Sequence, residues 1–138
     1  TYQNPTLIET KIEGQSTLSV NPHGTQCALG YSLLKDAGTI ALIDITRKTI
    51  AAKLKTHHSN GITSVQYKDP KSLLAALGNG TCALWDLSTH KITSTFKSNT
   101  QGCALDIACN PVKPHEFAAV YPQDQIIELW DIRNKKTP

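Results

Sequence analysis

Several things this chain lacks narrow the field before anything it contains. No uninterrupted apolar run is longer than Leu73–Leu77, far short of the roughly 20 residues a membrane-crossing helix needs. No basic segment followed by an apolar one opens the chain, so no secretory signal is expected, although the chain starts at Thr1 without a methionine. No strong charge imbalance exists either. The formal net charge is +3, and the only cationic cluster is Arg133, Lys135 and Lys136, too small to make nucleic acid an expected ligand. The four cysteines, Cys27, Cys82, Cys103 and Cys109, form no C-x-x-C pair and no zinc-module spacing. All four fall in apolar stretches that read as strands, so they are expected to be reduced, buried core thiols, in keeping with a reducing compartment. Among catalytic signatures, G-x-S-x-G, H-E-x-x-H and a Cys/His arrangement are all missing. The expectation is no enzyme, no cofactor and no metal.

What the chain does contain is a repeated phrase. Leu84-Trp85-Asp86-Leu87 recurs as Leu129-Trp130-Asp131-Ile132 and, more loosely, as Leu42-Ile43-Asp44-Ile45. The aspartates are 42 and then 45 residues apart. A period of about 40–45 residues whose units carry an apolar-Trp-Asp step is the mark of a propeller repeat. Short strand-like runs separated by turn residues fill each unit. The first gives Thr17–Val20, Gln26–Gly30, Thr39–Asp44 and Thr49–Lys53, with Asn21-Pro22-His23-Gly24 as a turn. The second gives Ile62–Tyr67, Leu73–Leu77, Thr81–Trp85 and Lys91–Phe96. The third supplies Ala104–Cys109, Glu116–Val120 and Ile126–Trp130, without a fourth strand. An alternating run within Thr6–Glu13 reads as a lone strand ahead of the first unit. The expected division is one propeller domain: 1–13 as the fourth strand of a neighbouring blade, 14–55 and 56–97 as blades, and 98–138 as an incomplete blade.

These residues resemble the WD-repeat family over essentially the whole chain. The resemblance implies an all-β propeller, here two full blades, most of a third and one strand of a neighbour. A closed ring has about 4–8 blades, so this is expected to be less than half of one. In the family a histidine stands four residues before the first apolar position of the opening strand, and His58 stands so before Ile62, with His57 where a glycine is usual. The family's turn aspartate precedes the tryptophan by six residues. Asp124 fits before Trp130, while Asn79 and Ala37 take that place in the other units, and Thr100 takes the histidine position of the third. The resemblance thus makes His58, Trp85, Asp86, Asp124, Trp130 and Asp131 structural repeat positions. It also implies that the Asp–His–Ser/Thr–Trp hydrogen-bond network is incomplete in every blade.

Alternate residues of a blade strand face opposite neighbours. Cys82 and Leu84, matched by Ile127 and Leu129, should share one face, and Trp85, matched by Trp130, the other. Because one blade cannot bury both faces alone, stability must come from stacking. Faces carrying Leu42, Trp85 and Ile127 are expected to lie open where a neighbour is missing.

Three patterns mimic chemistry. Gly78-Asn79-Gly80-Thr81-Cys82-Ala83 has dinucleotide-fingerprint spacing, but a strand and not a helix follows it, and no acid lies between Asp86 and Asp106. Asn79-Gly80-Thr81 is a glycosylation sequon that reads better as a tight turn. His57 and His58, adjacent on an extended chain, point apart and make a poor metal pair.

The function the resemblance implies is a non-catalytic scaffold, a propeller subunit of a larger intracellular complex, cytoplasmic or nuclear, with other protein subunits as partners and no small-molecule substrate. Loops on a rigid frame are where such proteins bind. The candidate contacts are Lys35-Asp36, His57 to Asn60, and Ser98 to Gly102. The alternative is a substrate receptor of a cullin–RING ubiquitin ligase, since Trp130-Asp131-Ile132-Arg133 resembles the W-D-x-R step of such receptors. There Arg133, at a solvent-facing edge with a free guanidinium, would reach the ligase adaptor.

Overall fold

The computed structural model describes Leu7 and residues 16–31, 38–56 and 61–134. The leading strand within Thr6–Glu13 and the positions Lys35, Asp36, His57, His58 and Asn60 lie outside the described residues. What is described is all β: eleven strands in three antiparallel sheets. The first sheet takes β1 (Ser16–Val20), β2 (Gln26–Tyr31), β3 (Thr39–Asp44) and β4 (Thr49–Lys55) in chain order. The second takes β5 (Ile62–Asp69), β6 (Ser72–Leu77), β7 (Thr81–Asp86) and β8 (Lys91–Lys97). The third takes β9 (Asp106–Cys109), β10 (Glu116–Tyr121) and β11 (Ile126–Asp131). Each sheet is one blade.

The turns explain why the strands stop where they do. Every first-to-second-strand connection begins with an Asx-Pro pair: Asn21-Pro22, Asp69-Pro70 and Asn110-Pro111. Proline presets the turn dihedral, and the preceding side chain accepts backbone N–H groups that would otherwise be orphaned. Asn21 Oδ1 takes the amides of Thr25 and Gln26, Asp69 Oδ1 that of Lys71, and Asn110 Oδ1 those of Val112 and Lys113. The repeated aspartate does the same work at the next turn. Asp44, Asp86 and Asp131 accept the backbone N–H of Arg47, Ser88 and Arg133 at 2.8–3.0 Å. In the first two blades this turn ends on a left-handed residue, Lys48 at φ 58° and His90 at φ 57°. The registers of β3–β4 and β7–β8 then slip by a bulge at Leu42/Ile43 and Leu84/Trp85.

The central strands of the second blade are buried on both faces, as a sandwiched blade demands; β6 is closed from Leu73 to Leu77 and β7 from Cys82 to Trp85. The outer strands β4 and β8 contribute one fully closed side chain each, Leu54 and Phe96. Between the first and second blades Ile40, Leu42, Leu54, Tyr67, Leu73 and Trp85 share one apolar cluster. Between the second and third, Leu84 and Phe96 meet Phe117 and Trp130, with Phe96 edge-on to both rings. Leu42 and Trp85 are therefore buried in a blade junction, correcting the expectation that they lie open; Ile127 does lie open. The approach of blades one and two also needs Gly30, where an added Cβ would come within 2.6 Å of Ile62 Cγ2.

The cysteine expectation also needs correcting. All four thiols are free, but only Cys82 is fully buried, and Cys103 precedes β9 instead of lying in a strand, since β9 starts at Asp106. Burial pushes the Cys82 and Cys109 thiols up to about 11, so neither is an activated nucleophile at neutral pH.

Candidate interaction surfaces

The blades are tied to one another by polar side chains, most of them on the innermost strands and one, Gln26, on β2. Between blades one and two, the Val65 and Tyr67 amides donate to Thr17 Oγ1 (3.3 Å) and Ser19 Oγ (3.4 Å), and the Tyr67 hydroxyl donates to Gln26 Oε1 (2.8 Å). Between two and three, the Thr63 hydroxyl donates to the Ala104 carbonyl (2.6 Å). Ser64 Oγ donates to Asp106 Oδ1 (2.9 Å), and the Cys109 amide donates to Gln66 Oε1 (2.7 Å). Partly buried bonds of this kind fix how one sheet sits on the next, which packing alone leaves freer to slide.

The second junction carries one more tie. Glu128, buried on β11, accepts the Trp130 indole N–H on Oε2 at 3.1 Å and the Ser98 hydroxyl on Oε1 at 2.5 Å. Ser98 Oγ in turn accepts the Thr100 amide at 3.0 Å, so the carboxylate anchors the loop that connects the second and third blades. The loop is closely packed. A Cβ on Gly80 would meet the Gly102 carbonyl at 3.0 Å, and one on Gly102 would meet Gln123 Oε1 at 2.8 Å. The Ser98–Gly102 stretch is thus held in one shape while Asn99 and Gln101 remain exposed on it.

The other sequence-derived positions fall as follows. Trp85 and Trp130 are core residues, and Asp86 and Asp131 cap turns. Asp124 is exposed in the β10–β11 turn and makes no hydrogen bond among the described residues; the acceptor for Trp130 is Glu128. Arg133 is exposed just past the end of β11, and its guanidinium is not free. Nε and Nη2 donate to the two Asp131 oxygens at 3.0 and 2.8 Å. The hydrogen bonds from the Arg133 side chain and then from its amide hold the Asp131 carboxyl down to about 2. That geometry leaves the ligase-adaptor expectation resting on four letters of sequence.

No group of three or more potential metal ligands occurs among the described residues, and no helix there is long and apolar enough to cross a membrane. No family model matches the chain. Among curated proteins it is similar to the protein transport protein sec31 of Emericella nidulans, at 31% identity over 48% of this chain and 5% of that protein. It also resembles a retinoblastoma-binding-like protein E of Dictyostelium discoideum, at 33% over 62% of this chain and 16% of that one. The chain therefore spans only a small part of the curated relatives it matches. Among solved structures, the β-propeller domain of Cps50 (Swd1) from Myceliophteria thermophila superposes with a TM-score of 0.73 at 27% identity, over 88% of this chain and 35% of that one. The recurring Trp-Asp step, the antiparallel blades and this superposition place the chain in the WD-repeat β-propeller class.

Proposed function

We propose that the chain is a non-catalytic interaction scaffold, within a propeller subunit of a larger intracellular multiprotein complex, cytoplasmic or nuclear. Its partners on this reading are other protein subunits, with neither a small-molecule substrate nor nucleic acid as direct ligand. The observation that carries it is the fixed Ser98–Gly102 loop. A buried carboxylate anchors its base, while its exposed side chains are uncharged amides suited to pairing with a partner's backbone. The printed names of two relatives, a retinoblastoma-binding-like protein and a CCR4-associated factor homolog of Vanderwaltozyma polyspora, speak of association with other proteins and lend the same support.

The test is co-purification of the tagged full-length protein from its own cells, wild type against an Asn99→Arg/Gln101→Arg pair. Loss of stoichiometric protein partners with an unchanged unfolding transition is the expected outcome. A wild-type protein that purifies without any stoichiometric partner would contradict the scaffold reading.

A further inference from the structure

The strand order gathers cations that are scattered along the sequence. β4 and β8 are the last strands of their sheets, and among the described residues each has a sheet neighbour on one side only. With the turns that lead into them, residues 45–56 and 87–98, they carry 6 of the 14 lysines and arginines and none of the 11 acidic residues. Arg47, Lys48, Lys53, Lys55, Lys91 and Lys97 are all exposed. Arg47 reaches Asp44 only at 3.9 Å, with its side chain 83% exposed, and the five lysines make no ion pair among the described residues.

The two edges differ in where the charge sits. The registers align Lys55 with Lys97, opposite Thr39 and Thr81, and Lys53 with Thr95, opposite Ala41 and Ala83. β8 thus has lysine at its two ends alone, a common way to keep an open edge from pairing with stray chains. β4 adds Lys53 beside Lys55, and Arg47 and Lys48 stand in the turn at its other end. Leu54, between the two lysines, turns into the cluster with Trp85, so Lys53 and Lys55 project from the face away from the second blade. That position is open to water even with a blade alongside. Phe96 turns toward the third blade, so Thr95 and Lys97 lie on the first blade's side of β8, and both are exposed there.

We propose that the outer edge of β4 binds an extended acidic segment of a partner protein as a fifth strand of the first blade. The unpaired backbone groups of the edge supply the pairing, and charge selects the occupant. Residues two apart on a strand are spaced by about 6.5 Å, so alternate side chains of a segment laid beside β4 match Lys53 and Lys55. Carboxylates at those positions form cross-strand pairs with the two ammonium groups, each worth little alone and more as a set with Arg47 and Lys48. The side chains between them are β-branched and lie on the Leu54 side. This edge is separate from the Ser98–Gly102 loop, and the inference does not rest on the scaffold reading.

An octapeptide alternating glutamate and threonine, labelled for fluorescence anisotropy, is the probe for the full-length protein. The salt is about 0.1 M, where the field of distant charges is largely screened. Wild type should bind the probe, and Lys53→Glu/Lys55→Glu should weaken binding about tenfold with an unshifted unfolding transition. Lys91→Glu/Lys97→Glu makes the same change in net charge and should weaken it no more than about twofold. Hydrogen exchange on wild type gives a second reading: the probe should slow amides within 49–55 and leave those of 91–97 unchanged. No binding by wild type, as expected of lysines that merely blunt an edge, would overturn the proposal. So would equal losses from the two variants, or β4 amides that are not slowed in the complex. A single-stranded oligonucleotide of equal charge that competes as well as the unlabelled peptide would overturn it too.

Discussion

The second and third blades solve the same packing problem with different chemistry. Each places a tryptophan at one strand position, Trp85 on β7 and Trp130 on β11, and each buries it. On β11 the residue two positions earlier is Glu128, which takes the indole N–H; its counterpart on β7 is Ala83, and the Trp85 Nε1 is buried with no hydrogen-bond partner among the described residues. An unsatisfied buried donor costs about 1–3 kcal/mol. A buried carboxylate is expensive as well, and is tolerated only when donors surround it. The third blade meets that condition with two donors and gains an anchored inter-blade loop; the second stays apolar there and leaves one N–H unmet. Where a repeat varies its polar atoms and keeps its ring, the ring secures the stacking and the polar atoms secure the loop.

The comparison can be broken from the large end first. Replacing either tryptophan by alanine in the full-length protein should cost about 3–5 kcal/mol through lost transfer energy and the cavity left behind. Trp130→Ala should be the worse of the two, because it also removes a donor from Glu128; denaturant unfolding reads both. Trp85→Ala that leaves stability unchanged would show the ring is not a core element. Glu128→Ala gives the third blade the second blade's residue and strands the Ser98 hydroxyl and the Trp130 indole N–H. Hydrogen bonds to charged groups are worth about 1.5–3 kcal/mol, so a loss within that range is expected on chemical denaturation. The Thr100 and Gln101 amides should also exchange faster with solvent. Tryptophan-to-phenylalanine changes sharpen the contrast further. At Trp85 the exchange removes an unmet donor along with part of the ring, whereas at Trp130 it removes a satisfied one. The Trp130→Phe loss should exceed the Trp85→Phe loss by about 1–2 kcal/mol, and equal losses would mean that Glu128 contributes nothing to the indole.

Two smaller effects concern the turns. Because the folded Asp131 carboxyl is held down to about 2, its contribution to stability is complete above the ordinary carboxylate range. That contribution is lost as pH falls toward 2. A carboxyl-resolved NMR titration should find the low midpoint, and Arg133→Ala should raise it. His90, at φ 57°, occupies a conformation that costs a side-chain-bearing residue about 1–2 kcal/mol. His90→Gly should therefore raise the thermal midpoint slightly, reduced by the greater freedom glycine gives the unfolded chain.

Much of the architecture was legible because local chemistry writes it. The Trp-Asp step recurs because its aspartate must accept a turn amide, and the strand boundaries follow from those turns to within one or two residues. The Asx-Pro pairs at 21, 69 and 110 were an equally regular signal, visible in the sequence but not read as a repeat. Glu128 was not legible. A glutamate on an alternating strand reads as solvent-facing, and only the register that sets it beside Ser98, 30 residues away, makes it a core residue. The burial of Leu42 and Trp85 was likewise a question of which neighbour each face meets, and strand alternation alone does not answer it. At Arg133, the aspartate two residues before it was the sign that its guanidinium had a partner at hand.

The central claim is that polar side chains reach across the junction between the second and third blades and fix the loop there. A double-mutant cycle with Ser98→Ala and Glu128→Ala in the full-length protein, read by equilibrium unfolding, tests it most directly. Residues sharing a buried network couple by about 0.5–3 kcal/mol, and a value in that range is predicted. Additive losses, with coupling indistinguishable from zero, would contradict it.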